Sequence, residues 1–173
     1  MIFALAGAIQ PAGAEPAVSL SDKVDLAQVG AAAGPTNRWL QNHNSWKCLL
    51  VQGAADNNPA VQFQCLDYAD QKWDFVEKGN GQYQLRNRNS GKCLLVRGTD
   101  NEAPAVQFSC LNYADQYWEF YYYDNIVGSE WLWVRNVNSG KCLVVRGGND
   151  GTRLVQFPCT SYIDQAWRIW PPL

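Results

Sequence analysis

From residue 37 onward the apolar positions recur in short runs with a two-residue period, and no segment sustains the 3.6-residue period of an amphipathic helix. In one stretch Gln82-Tyr83-Gln84-Leu85-Arg86 alternates, Asn87 to Gly91 reads as a turn, and Lys92-Cys93-Leu94-Leu95-Val96 forms a second apolar run. A Gly-, Asp-, Asn- and Pro-rich loop covers Gly98 to Pro104, followed by Ala105-Val106-Gln107-Phe108 and then Gln116-Tyr117-Trp118-Glu119-Phe120. That is a unit of four short strands.

The unit occurs three times. Cys48, Cys93 and Cys142 each sit in Lys-Cys-Leu, each is followed seventeen residues later by Cys65, Cys110 or Cys159, and six residues further on comes Gln-x-Trp. The period is 45 residues and then 49, and the four extra residues fall in the connection Tyr121 to Ser129, where a surface loop absorbs them. Twelve strands in three copies predict an all-β fold with threefold pseudo-symmetry. The cysteines lack the close pairing and the His partner of a zinc site, so disulfides are expected. Repeat symmetry selects Cys48–Cys65, Cys93–Cys110 and Cys142–Cys159, each closing a loop whose cross-link is worth about 3 kcal/mol.

The ends and the charge refine this picture. Met1 to Ile9 is apolar and leads to the small-residue site Ala12-Gly13-Ala14, so residues 1–14 read as the end of a truncated secretory signal peptide, with an apolar tail as the alternative. Residues 15–36 read as a flexible Ala/Gly/Pro linker with one helical turn near Asp25 to Val29. The repeats then occupy about 37–78, 79–125 and 126–171. Fourteen Lys plus Arg against sixteen Asp plus Glu give a net charge of -2, which offers no basic field for nucleic acid. No later run approaches the roughly 20 apolar residues of a membrane span. The single histidine, His43, reads as an exposed turn residue, which leaves no His-based catalysis or metal site, and no cofactor is expected.

Lys-Cys-Leu (preceded by Ser-Gly in the second and third copies), Val-Gln-aromatic-x-Cys and Gln-x-Trp, in three copies in register, resemble the ricin B-type lectins, which are β-trefoils. The resemblance covers about residues 37–171. It implies that Trp73, Trp118 and Trp167 fill the core and that Gln71, Gln116 and Gln165 tie down backbone polar groups. It also implies one shallow sugar pocket per repeat. In such a pocket the aromatic platform would be Phe63, Phe108 and Phe157, and the polar residue before the Gln-x-Trp glutamine would be Asp70, Asp115 and Asp164.

One departure recurs. The family's main sugar-binding aspartate follows Cys-Leu, and here that position holds Leu50, Leu95 and Val144. A carboxylate that receives two sugar hydroxyls is therefore missing from every unit. The residues that repeat in its place are the three aspartates, Tyr68, Tyr113 and Tyr162 two positions earlier, and Arg97 and Arg146 with Gln52 at the equivalent position. Each also has a structural reading: the aspartates cap a turn, the tyrosines cover a loop, the arginines are solvated and the phenylalanines are core. The expected function is a secreted, monomeric, non-catalytic carbohydrate-binding module with up to three weak equivalent sites. The alternative is a protein-interaction trefoil, resembling toxin subunits or inhibitors, that uses Tyr121-Tyr122-Tyr123 and Trp131 to Trp133 as an exposed patch on a receptor; a third reading is a disulfide-braced structural protein with no ligand.

Overall fold

A computed structural model describes residues 19–29 and 34–172. The signal-peptide reading of residues 1–14 lies outside them. Twelve strands form the repeats: β2 (Trp39–Asn42), β3 (Cys48–Val51), β4 (Ala60–Phe63) and β5 (Trp73–Gly79); β6 (Gln82–Asn87), β7 (Cys93–Val96), β8 (Ala105–Phe108) and β9 (Trp118–Tyr122); β10 (Leu132–Asn136), β11 (Cys142–Val145), β12 (Leu154–Phe157) and β13 (Ala166–Trp170). A two-residue strand, β1 (Lys23–Val24), and a helical turn, α1 (Leu26–Val29), precede them.

The first and last strand of each repeat build a barrel, in which β5, β6, β9, β10, β13 and β2 follow one another as antiparallel neighbours. It closes where Arg38 and Trp73 exchange backbone hydrogen bonds of 3.1 and 2.9 Å. The two middle strands of each repeat form hairpins in one shared register, with Cys48 opposite Phe63, Cys93 opposite Phe108 and Cys142 opposite Phe157. This is the β-trefoil. The three expected disulfides are present, each with a Cα–Cα separation of 5.0 Å.

The core is set by the repeated tryptophans. Trp73, Trp118 and Trp167 are fully buried, and their indole N–H groups donate to the carbonyls of Leu49, Leu94 and Leu143 at 3.1, 3.0 and 3.0 Å. Burial on this scale requires the polar edge of each ring to find a partner, and the same partner serves in all three copies. Gln71, Gln116 and Gln165 are buried as well; each accepts from the N–H of Leu66, Leu111 or Thr160 and donates to the carbonyl of Gln64, Ser109 or Pro158.

A second set of glutamines joins the repeats to one another. Gln62 donates to the carbonyls of Gly147 and Asn149, Gln107 to those of Gly53 and Ala55, and Gln156 to those of Gly98 and Asp100. The first repeat thus clasps the third, the second clasps the first, and the third clasps the second. Each clasp glutamine accepts in turn from a turn serine, Ser45, Ser90 or Ser139.

The stretch read as a linker is docked where it is described. Lys23 and Val24 pair with Tyr121 and Phe120 of β9, and Val24 and Leu26 join the core. Tyr83 donates to Asp25 at 2.6 Å and accepts from the Ala27 N–H at 2.9 Å. Burial and the Asp25 carboxylate push the Tyr83 phenol far above its ordinary range. Further along, Pro35 accepts from the Phe75 N–H, and a Cβ on Gly34 would stand 2.1 Å from the Phe75 carbonyl oxygen, so only glycine fits there. The composition is that of a linker, but two buried apolar side chains and one backbone strand pair are enough to dock it. Among the described residues no helix is long and apolar enough to cross a membrane.

Candidate functional site

A single 3-10 turn precedes the last strand of every repeat, at Ala69–Gln71, Ala114–Gln116 and Ile163–Gln165. The buried glutamine anchors its end, and an asparagine from the adjoining repeat anchors its middle. Asn87, Asn136 and Asn42 donate to the main-chain carbonyls of Asp70, Asp115 and Asp164 at 2.7, 2.9 and 2.9 Å. The same asparagine side chains accept from the following turn, as at Asn89 and Ser90. Each aspartate is therefore positioned at a junction between repeats by bonds to its backbone rather than to its carboxylate.

The carboxylates themselves share one property. In Asp70, Asp115 and Asp164 alike, Oδ1 is buried and makes no hydrogen bond. The capping reading does not account for this, because Tyr68, Tyr113 and Tyr162 occupy the N-cap positions and no side chain caps the turn. A buried acceptor without a donor costs folding about 1–3 kcal/mol, and this one is kept three times over. Beside it stand exposed rings: Tyr68, Tyr113 and Tyr162 are 63%, 64% and 54% exposed.

In the third repeat a cavity accompanies this arrangement. Asn44, Arg146, Tyr162, Ile163 and Asp164 line a cavity of about 360 Å³. Arg146 lies 3.5 Å from Asp164 Oδ2 and 2.7 Å from Glu102, which holds the guanidinium across the cavity. Burial pushes the Asp164 carboxyl above its ordinary value, and Arg146 offsets this only in part.

The sequence-predicted residues divide into two groups. Asp164, Tyr162 and Arg146 line one cavity, and the other two aspartates and tyrosines share the equivalent 3-10 turns, whereas Phe63, Phe108 and Phe157 are half-buried on the hairpins. Arg97 and Arg146 lie over the rings of Phe108 and Phe157 at 4.7 Å, so these guanidinium groups take the face a sugar would use. Arg97 also donates to Asn57 of the preceding repeat. The exposed ring at the turn is tyrosine. Leu50, Leu95 and Val144 are buried in the hairpin strands, at a position that packing claims entirely.

Two further expectations change. Trp133 is fully buried with its N–H donated to Thr160, and Tyr121, Tyr122 and Tyr123 are half-buried, so the expected patch does not form as such. Trp131 instead meets His43 at 4.2 Å and Trp46 at 5.7 Å between ring centres. His43 is half-buried in this cluster rather than exposed, with Nδ1 enclosed. A larger cavity of about 470 Å³ lies against Leu20, Tyr121 and Arg135, where Glu119 already pairs with Arg135 at 2.9 Å. It has no counterpart unpaired acceptor. No group of three or more metal-ligating side chains converges among the described residues.

Residues 28–108 match the family model described as ricin-type beta-trefoil lectin domain-like. Over that stretch the chain is similar to the ricin-type β-trefoil lectins. Solved structures superpose on the trefoil. A designed threefold-symmetric protein superposes with a TM-score of 0.72 at 28% identity, over 76% of this chain and 96% of that one. An exo-beta-1,3-galactanase from Clostridium thermocellum gives 0.70 at 27% identity, and the hemolytic lectin CEL-III gives 0.62 at 29%. Each of these two is matched over 78% of this chain and 30% of its own, so this chain spans under a third of either protein. A comparison with curated protein sequences finds no match.

Proposed function

We propose that the protein is a secreted, non-catalytic carbohydrate-binding module with three symmetry-related sites, centred on Asp70, Asp115 and Asp164. The observation that carries this reading is the buried, unpaired Oδ1 that recurs in all three repeats. A carboxylate that folding leaves without a donor accepts sugar hydroxyls once the turn admits them, and a pyranose ring has an apolar face for Tyr68, Tyr113 or Tyr162. The second carboxylate oxygen and, in the third repeat, Arg146 would meet a neighbouring hydroxyl. The family's usual aspartate position is apolar here, so the proposed acceptor sits on the turn rather than on the hairpin.

Single sites of this shallow kind bind weakly, and a repeating glycan engages several at once. Three disulfides with no free cysteine suit an oxidising, extracellular setting. The similarity to a hemolytic lectin supports sugar binding, while the galactanase match covers too little of that enzyme to bring its activity with it.

A glycan array probed with the wild type and with the Asp70→Ala/Asp115→Ala/Asp164→Ala variant tests the reading. At least one glycan class is expected to bind the wild type and to lose at least tenfold in the triple variant. Unchanged binding in a folded triple variant would falsify the site assignment.

A further inference from the structure

The eight tryptophans fall into two classes. Five donate their indole N–H to a backbone carbonyl: Trp39 to Leu66, Trp133 to Thr160, and the three core tryptophans as described. Trp46, Trp131 and Trp170 make no such bond among the described residues, and all three gather around one guanidinium. Arg168 lies 5.2, 5.2 and 4.8 Å from their ring centres. Trp46 is 55% and Trp170 39% exposed.

The backbone adds an independent observation. Trp46 has φ 58°, and the register of the repeats places Gly91 (φ 69°) and Gly140 (φ 68°) at the equivalent turn position. Two repeats keep the residue that adopts this conformation freely. The first carries the bulkiest side chain instead and presents it to solvent. Strain of this kind persists at sites where the displayed group is used.

We infer that Trp46, Trp131 and Trp170 form a fourth binding site, at the junction of the first and third repeats, for a neutral pyranose ring of a glycan. Charge decides the class of ligand. A cation is disfavoured because Arg168 already fills the space between the rings. An anion gains little, because Glu130 neutralises Arg168 at 3.2 Å and Gln41 takes its Nε–H at 2.8 Å. What remains on offer is aromatic area, three indole N–H donors and an exposed Glu130 carboxylate, which together match a sugar's apolar face and its hydroxyls. Two partly exposed indoles offer a platform for one or two sugar rings, far below the roughly 800 Å² per side that a stable protein partner buries. The inference extends the carbohydrate reading above, but it uses residues separate from the three aspartate sites.

Indole N–H resonances of the ¹⁵N-labelled protein provide the test, with neutral oligosaccharides of glucose, galactose, mannose and xylose as probes. In the wild type, at least one probe is expected to shift the Trp46, Trp131 and Trp170 resonances while the five bonded indoles stay in place. The same response is expected in the Asp70→Ala/Asp115→Ala/Asp164→Ala variant. Trp46→Gly restores the residue the other repeats use, so it folds, and it should weaken the response at least tenfold. The inference is overturned if no probe moves these resonances, if Trp46→Gly binds as the wild type does, or if they move only with protein concentration, which would mark a contact between proteins. Array binding lost in the triple variant with still indoles retires this site alone. Moving indoles with an unaffected triple variant retire the aspartate sites alone.

Discussion

At the scale of single residues, the three aspartates stand apart because each keeps a buried Oδ1 with no hydrogen-bond donor. Replacing a residue that braces the fold lowers stability, whereas replacing one held unsatisfied for a ligand does not. Asp70→Ala and Asp115→Ala should leave the thermal midpoint unchanged or raise it slightly, since each removes a buried acceptor with no donor. Gln71→Ala, one position away from Asp70, should cost about 2–3 kcal/mol, because it strands the Leu66 N–H and the Gln64 carbonyl. Thermal scans of these variants separate the two roles. Asp164 adds a pH signature. Its carboxyl is held above the ordinary value by burial, so the native state keeps the proton more tightly than the unfolded chain. Ionising it costs stability, a cost absent at low pH that grows as pH rises through the raised value. Sugar hydroxyls donate to the ionised form, so affinity at the third site should fall on acidification through that raised value. Titrations at a series of pH values should show this slope in the wild type and lose it in Asp164→Asn.

At the scale of elements, the repeats are held by clasps, and the N-terminal strand by backbone pairing, buried side chains and an ion pair. Gln107→Ala should cost about 2–3 kcal/mol, since it strands the Gly53 and Ala55 carbonyls. The same change at Gln62 and Gln156 should cost a similar amount. Lys23 meets Glu119 at 2.8 Å and so pins β1 to β9. Burial pushes the Glu119 carboxyl up, but hydrogen bonds from Lys23, Gln82 and Tyr121 outweigh it and hold the group below its ordinary value of 4.5. A depressed carboxyl contributes stability that is complete above the ordinary value and is lost as pH falls through the folded one. Protection of the Lys23 and Val24 amides from hydrogen exchange should therefore fall, before the barrel opens, as pH drops below the ordinary value of 4.5 and through the depressed one. A rate that follows global unfolding at every pH would contradict this. The strand was not legible in the sequence, because two residues set no periodicity and their neighbours have linker composition. The clasp glutamines were visible only as part of the Val-Gln-aromatic repeat; nothing in one chain shows that their amides reach across to another repeat.

At the scale of the whole molecule, symmetry explains what was legible and its breaks explain what was not. Three cysteine pairs in register with three Gln-x-Trp motifs fix topology, disulfides and core, because each repeat must bury its face against the next two. The candidate aspartates followed from the same register, whereas the resemblance placed the aromatic platform at the phenylalanines; arginines cover two of those rings, and the exposed rings at the turn are tyrosines. Trp46 carried a readable signal, a tryptophan where two repeats have glycine, yet its partners Trp131 and Trp170 lie far away in sequence. Threefold equivalence is the central claim, and it has a countable consequence. Calorimetric titration with the best-bound monovalent sugar, in the wild type and in the single variants Asp70→Asn, Asp115→Asn and Asp164→Asn, measures it directly. The account predicts that each single variant loses the same number of sites, one, and keeps its remaining affinity. A capacity that is unchanged in all three variants, or abolished by one of them alone, would contradict it.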